Sequence, residues 1–565
     1  MEKRALIALA LSFVVFVAFI YFGEKFKSPA PPSPQTQTQT QTPQPAAPAP
    51  TPSPAAERPA AAPAPAQPPT VRPAKDVVVD TPLFRAVFTE LGGRLKSFRL
   101  KKYKDRMPFE TISHFKLGPV GFELERYLST DANKIGLKEL VREGGGGELP
   151  LTVSWEGKTL NVPGTGLCEA STSALNLKDG DKSTLKFTCV SPEGLTFVKT
   201  YTFKADSYGI DLAVQVTNHT KQTLDGQLNL DLSQNFASEE ADRFHFLGFN
   251  GSINNKTHDL KSGDLKEPKT FTGKVEWAGL DEGYFLTAMI PESAKAWVTL
   301  TEPPKAPMVA SLRTPVESLA PGQAAQFSYV LYFGPKNLDD LKPLGLDRAV
   351  NFGWFDFVGK PFLTFLNWLY RYTHNYGWAI VIMTILLRIV FWYPNHKSYK
   401  SMKDMQKLQP KVAKIREKYK DDKEAMNKEL MALYRTFKVN PMAGCLPMVL
   451  QLPVFIALYN VLGYAIELRH APFIPTLPFT NIVWLADLSA KDPLLITPLV
   501  MGATMFIQQK MTPSAGDPAQ AKMMMFLPLV FTFLFLNFAS GLVIYWLVNN
   551  VLSIAQQYYT NKYLT

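Results

Sequence analysis

The chain has 565 residues, 46% of them hydrophobic and 19% charged, with a formal net charge of +11. That length exceeds the ~250 to 300 residues at which single hydrophobic cores stop growing, so more than one folded unit is expected. Three cysteines exclude a disulfide scaffold, and without a CxxC or Cys/His cluster neither a metal nor another cofactor is expected.

Residues 5–22 run for 18 positions without a charge behind Lys3 and Arg4, enough for a helix of ~27 Å. They predict a transmembrane anchor, residues 1–22, with its N-terminus inside; a cleaved signal peptide is the rival, but no A-x-A site follows closely. Residues 23–75 form a disordered linker: 16 of the 45 prolines fall within 28–75, among Gln-Thr and Ala-Pro repeats, and such a composition buries too little apolar surface to order itself.

Residues 76–338 change character. Runs at 151–155, 184–190, 196–203, 210–216 and 326–333 show mostly period-2 patterning between Gly, Asn, Asp and Pro turns, which predicts an all-β sandwich domain. Large sandwiches include sugar-binding and sugar-processing modules, but no compact set of acids or histidines stands out here, so a structural or partner-docking module is the expectation. Cys168 and Cys189 lie in this region and are expected to pair if it is exported; Cys445, in an apolar run, reads as packing.

Residues 339–370 mix Trp354, Phe355, Phe357, Phe362, Phe365 and Trp368 with Asp356, Lys360 and Asn367. This is too interrupted to span a bilayer and predicts an interfacial amphipathic helix, aromatic rings at headgroup level; a helix buried against the sandwich is the alternative. Residues 371–565 hold five apolar segments, at 377–393, 442–465, 493–509, 523–538 and 541–558. Several are short, which suits a locally thinned bilayer. With the anchor they make six transmembrane helices and keep both termini in the cytoplasm. Charge tests that topology: residues 396–440 carry 13 basic against 6 acidic residues, whereas 467–492 carry 2 against 3. The positive-inside rule puts the first loop in the cytoplasm and the second, with the β-domain, on the export side.

The cytoplasmic loop 396–440 is itself periodic. Met402, Met405, Leu408, Val412, Ile415 and Tyr419 recur at three- and four-residue steps, Asp421 and Asp422 interrupt, and Met426, Leu430, Leu433 and Phe437 resume. This predicts an antiparallel coiled-coil hairpin with a kink at Pro410. Its basic faces suit an acidic partner such as lipid headgroups, ribosomal RNA or a targeting factor; a solvated hairpin that merely obeys the charge rule is the plain alternative.

Arg388 is the only Lys, Arg, Asp or Glu inside the five C-terminal apolar segments. A charge at a helix centre costs ~2.5 to 3.5 kcal/mol on insertion scales, so it needs compensation. Snorkelling past Pro394 is one route. Yet Thr384 lies one turn earlier on the same face, Gln451, Gln508 and Gln509 sit in other segments, and Tyr545, Asn549, Ser553 and Gln556 form a stripe on one helical face. Together they predict a wet cavity open to the cytoplasm and closed to the outside, able to receive the polar flank of a hydrophobic segment. Interhelical hydrogen bonds are the competing account of the stripe. No GxxxxGK[ST], HExxH or GxSxG occurs, which argues against an ATP-driven pump or a hydrolase of those kinds.

Several motifs in one order carry a resemblance: Thr384 to Arg388 (TILLR), Leu408-Gln409-Pro410, residues 440–447 (NPMAGCLP), residues 451–455 (QLPVF) and residues 540–546 (SGLVIYW). The chain resembles the YidC/Oxa/Alb family in its Gram-negative form with a large export-side domain. The resemblance implies a non-enzymatic membrane protein insertase and chaperone of the cell inner membrane. It further implies a five-helix core with a hydrophilic groove, a mobile cytoplasmic hairpin and a periplasmic β-supersandwich. Its implied partners are nascent membrane proteins, the Sec translocon, a ribosome or targeting factor at the hairpin, and membrane lipids. Groove positions implied by the resemblance are Thr384, Arg388, Leu452, Phe455 and Trp546, the last standing where some relatives have a tyrosine, with Tyr545 as the neighbouring hydroxyl. Joined to the polar residues above, the expected groove set is Thr384, Arg388, Gln451, Leu452, Phe455, Gln508, Tyr545, Trp546, Asn549 and Ser553. A transporter using Arg388 as an anion site is less consistent with the sequence, which shows no second copy of that segment.

Overall fold

The computed structural model describes residues 72–105, 109–117, 120–127, 135–141, 148–236, 246–293, 296–303, 306–420, 422–437, 439, 446–511 and 518–563. The expected anchor, nearly all of the linker, and Cys445 lie outside the described residues.

The first part is β-structure, from the strand Asp76–Asp80 to the strand Ala324–Pro335, laid out as sheets of five, nine and seven strands with a further two-stranded ribbon. The centre of the nine-stranded sheet is an antiparallel run in which Lys182–Val190, Leu195–Lys204, Gly209–Asn218 and Ala324–Pro335 pair in that order. Four of the five runs picked out by alternation fall inside these strands. The fifth starts one residue late, at Thr152, because Leu151 takes a left-handed φ of 67° that a strand does not admit. Cys168 and Cys189 sit opposite each other on paired strands and are joined by a disulfide.

Alternation along Leu195–Lys204 sends Leu195, Phe197, Tyr201 and Phe203 into the core. There Phe88 meets Tyr201 at 4.9 Å, and Phe98 meets Phe333 at 5.2 Å. These pairs knit the five-stranded sheet onto the nine-stranded one, each contributing about 0.5 to 1.5 kcal/mol beyond its area. Lys199 occupies the same buried file. Its Nζ donates to Gly92 O at 2.7 Å and to Leu151 O at 2.9 Å, so the amine is satisfied by backbone rather than by water. Burial, with Arg94 adding to it and Asp231 opposing, pushes its pKa down to about 7.

The second part is helical. We number its helices α1 (Asp356–Thr373), α2 (Tyr376–Val390), α3 (Trp392–Lys407), α4 (Gln409–Lys418), α5 (Lys423–Thr436), α6 (Leu446–Tyr464), α7 (Ile496–Met511), α8 (Pro518–Phe535) and α9 (Ser540–Tyr563). The helix expected over 339–370 begins only at Asp356, since Gly345 and Gly353 take φ of 71° and 72°, which no continuous right-handed helix contains. Its inner face buries Gly359, Leu363, Leu366 and Leu369, while Phe357 and Tyr372 are exposed. His374 in the left-handed region stops α1, and Asn375 restarts the chain as α2 by accepting from Trp378 N, so the two helices meet at 120°. The apolar segment at 493–509 becomes helical only from Ile496, because the Asp492 carboxylate accepts from Leu494 N and Thr497 N and caps the helix there. Pro410 stands in the first turn of α4, and the helix break falls just before it, at Leu408.

Among the described residues no single helix is both long and apolar enough to cross a membrane, although the bent pair of α1 and α2 qualifies together, and shorter apolar helices run over Leu450–Tyr464 and Met525–Phe535.

The connection between α6 and α7 is where the β-part meets the helices. Glu467 Oε1 accepts from Asn337 Nδ2 at 3.3 Å and from Asn367 Nδ2 at 3.4 Å. Arg469 donates to Lys104 O at 2.7 Å with its guanidinium 5.3 Å from the Phe285 ring, and Tyr284 donates to Gly463 O at 3.3 Å. Burial pushes the Glu467 carboxyl above the usual range, with the Asp339 and Asp340 charges adding to it and the Asn367 hydrogen bond opposing.

Lys199 gives a pH test of the β-part. The folded amine, at about 7, binds fewer protons than the unfolded one at 10.5, so its contribution to stability is fully present above pH 10.5 and is lost as pH falls to about 7. Thermal midpoints of the protein and its Lys199→Met variant are therefore expected to differ by a constant amount below pH 7, with the difference moving in favour of the lysine form between pH 7 and 10. A pH-independent difference over that window contradicts the assignment.

Candidate functional site

The site starts from two residues one turn apart on α2. Thr384 and Arg388 are 1% and 7% exposed, and the Thr384 hydroxyl donates back to Ile380 O at 2.7 Å, the usual way a buried helical threonine satisfies itself. Arg388 Nη2 donates to the Tyr399 hydroxyl on α3 at 3.3 Å. Its Nε is buried without an acceptor, and among the described residues no carboxylate lies in ion-pair range of it.

Helices α6 and α9 close the site. Gln451 Nε2 donates to the Tyr545 hydroxyl at 3.2 Å. Thr384, Leu387, Arg388, Phe391, Gln451, Val454, Tyr545 and Asn549 line a small cleft, partly open to solvent, with room for about one water molecule. Beside it stands an aromatic wall: Trp546 meets Phe455 edge-on at 4.7 Å and lies 5.2 Å from Phe535. Trp546 Nε1 is buried with no acceptor among the described residues. The cleft thus sets a fixed positive charge, amides and a phenol against aromatic surface within a few residues. Such a surface suits a ligand that is polar at one end and apolar at the other.

Of the expected set, Thr384, Arg388, Gln451, Tyr545 and Asn549 come together on the cleft, and Phe455 and Trp546 form its flank. Leu452, 42% exposed, points outward. Gln508, on α7, does not line the cleft. Ser553 is buried and donates to Asn549 O at 2.7 Å, and Gln556, from the same stripe, donates to Trp392 O at 2.9 Å. Ser553 is thus spent within its own helix, while Gln556 reaches the backbone of α3. Leu387, Phe391, Val454 and Tyr399 were missed. Phe391 and Val454 follow Arg388 and Gln451 by three residues and are legible as helical neighbours, whereas Tyr399 sits in the basic helix α3, outside the apolar segments.

Residues 368–565 match the family model described as 60Kd inner membrane protein, and residues 120–365 match that of the YidC periplasmic domain. The membrane protein insertase YidC of Citrifermentans bemidjiense is 45% identical over 494 residues, covering 86% of this chain and 86% of that protein. That of Geotalea daltonii is 42% identical over 569 residues and covers 100% of both. Among solved structures, the crystal structure of an active YidC insertase with its first transmembrane domain resolved is similar over 86% of this chain and 93% of that one, at 20% identity and a TM-score of 0.35.

The Gln451 to Tyr545 hydrogen bond supplies the test of this geometry. In detergent, Gln451→Ala and Tyr545→Phe are each expected to destabilise the helical part, and the double variant to lose about 1 kcal/mol less than their sum. Strict additivity in a denaturation cycle means that the two side chains do not touch.

Proposed function

The chain belongs to the YidC family of membrane protein insertases, and from that premise we propose that it inserts and folds inner-membrane proteins by offering the Arg388 cleft to the polar flank of an incoming hydrophobic segment. The observation that carries this reading is the guanidinium itself: buried, held by one phenol, with no carboxylate partner among the described residues. A group that costs this much to bury and remains incompletely satisfied suits a ligand that arrives with hydrogen-bond acceptors. Translocating a polar flank through such a cleft lowers its desolvation cost, and the aromatic wall at Phe455 and Trp546 leads the apolar part toward lipid. No catalytic chemistry and no cofactor enters this scheme.

The proposed topology has six spans: residues 5–22, then α2, α6, α7, α8 and α9. Their shortness suits a locally thinned bilayer. The charge asymmetry of 396–440 against 467–492 supports cytoplasmic termini, a cytoplasmic hairpin of α3 to α5, and a β-domain on the periplasmic side. The proposed division remains 1–22 anchor, 23–75 linker, 76–338 β-domain, 339–370 interfacial segment with its helix starting at Asp356, and 371–565 core. The exposed rings of Trp354, Phe357, Trp368 and Tyr372 support α1 lying along the outer leaflet. The hairpin's basic faces suit a ribosome, a targeting factor or anionic lipid, and cooperation with the Sec translocon on larger substrates is proposed from family membership.

Purified protein in vesicles, with a small Sec-independent membrane protein as substrate, tests the scheme. Insertion is expected to survive deletion of residues 80–330 and to fall at least tenfold with Arg388→Ala, while recovery with Arg388→Lys reduces the requirement to a positive charge. Failure of every folded form to insert the substrate rules out autonomous insertion.

A further inference from the structure

Between α6 and α7 the chain makes a narrow hairpin that the insertion scheme does not use. Its strands Ile474–Thr476 and Val483–Leu485 pair antiparallel, and residues 471–486 contain no charged side chain. At the base, Asn375 Nδ2 donates to Phe473 O at 3.1 Å, and Trp378 meets the Phe473 ring edge-on at 5.5 Å. Gly377 is required there, since a Cβ on it meets that ring at 2.1 Å. The hairpin is thereby fixed to the first turn of α2, beside the exposed Trp378.

The tip carries an unusual residue choice. Phe479 takes a φ of 65°, a conformation glycine or asparagine adopts cheaply, and its ring is fully exposed, with Ile482 44% exposed nearby. Strain and exposure both count against a phenylalanine at this point. Part of the turn's backbone is satisfied internally. Leu477 N donates to Ile482 O at 2.8 Å, Thr480 N to Leu477 O at 3.0 Å and Ile482 N to Thr480 Oγ1 at 3.3 Å, while Pro475 and Pro478 have no N–H to satisfy.

We propose that this tip is a lipid anchor: the Phe479 ring, with Ile482 beside it, enters the boundary between headgroups and acyl chains of the outer leaflet. The proposal rests on the membrane topology above, which puts the first turn of α2 at that leaflet. Lipid is favoured over a partner protein because one ring on a two-stranded ribbon falls far short of the ~800 Å² per partner that a specific protein interface buries, whereas an interfacial anchor needs only an apolar tip flanked by aromatic rings. Thr480 and Asn481, the polar residues of the turn, suit the headgroup side.

The full chain in proteoliposomes tests this, with Cys445→Ala as background and an environment-sensitive fluorophore on Phe479→Cys or, separately, on Ile482→Cys. Controls are Ile389→Cys on the outward face of α2, 62% exposed, and Val316→Cys on the β-part, 61% exposed. Labels at both tip positions are expected to lose at least half their fluorescence in vesicles whose phospholipid carries a shallow acyl nitroxide, relative to vesicles without it, and to be quenched at least threefold less by aqueous iodide than the label at 316. Iodide quenching at the tip equal to that at 316, with the label at 389 still quenched from lipid, overturns the anchor and leaves the topology standing. Protection from both quenchers overturns it in favour of a protein partner. A label at 389 that is open to iodide removes the topology and the anchor together.

Discussion

A guanidinium buried among apolar helices, with no carboxylate in ion-pair range among the described residues, is the constraint on which the helical cleft depends. One hydrogen bond to the Tyr399 hydroxyl contributes about 1.5 to 3 kcal/mol for a charged donor, which is of the same order as the cost of placing the charge in a span. The neighbouring polar groups are partly engaged with one another: the Thr384 hydroxyl is taken by Ile380 O, and the Gln451 amide by Tyr545. What remains available is donor capacity on Arg388, whose Nε has no acceptor among the described residues.

That arrangement ties the cleft to the basic hairpin. Tyr399 belongs to α3, the hairpin's first helix, and the root of α3 is itself fastened to α9 by Gln556 to Trp392 O and by His396 with Thr560 at 3.3 Å. Beyond the break at Leu408 the packing thins. Val412 is buried, but Ile415, Tyr419, Met426, Leu430 and Leu433 are only half-buried and Phe437 is exposed. Lys411 over the Phe437 ring at 4.0 Å ties α4 to the far end of α5. The root of this segment is therefore held more firmly than its distal part.

Much of this was legible in the sequence because the signals were periodic. Period-2 runs located the central strands, three- and four-residue steps located α3 to α5, and the isolated charge located the cleft. What escaped had other physics behind it. Lys199 breaks the apolar file of its strand, yet it is buried because two carbonyls, from Gly92 and Leu151, distant in sequence, converge on its amine; no local pattern encodes that. Leu452 shares a motif with Gln451 but lies a residue further round the helix and therefore faces outward. The late start of α1 follows from backbone conformations at Gly345 and Gly353, and a glycine in a sequence announces freedom without saying whether it is used.

The polar stripe on α9 shows why counting polar residues overstates a groove. Tyr545 and Asn549 reach the cleft, whereas Gln556 is spent on Trp392 O, Gln557 donates to Met511 O at 2.8 Å, and Asn550 donates to Thr504 at 3.4 Å. The same residues that keep α9 from being apolar enough to cross a membrane alone thus bolt it to α3 and α7. In a bilayer, where water offers no partner, polar side chains are tolerated only when neighbouring helices satisfy them. These bonds to Trp392 O, Met511 O and Thr504 fix α9 against α3 and α7 through its polar residues.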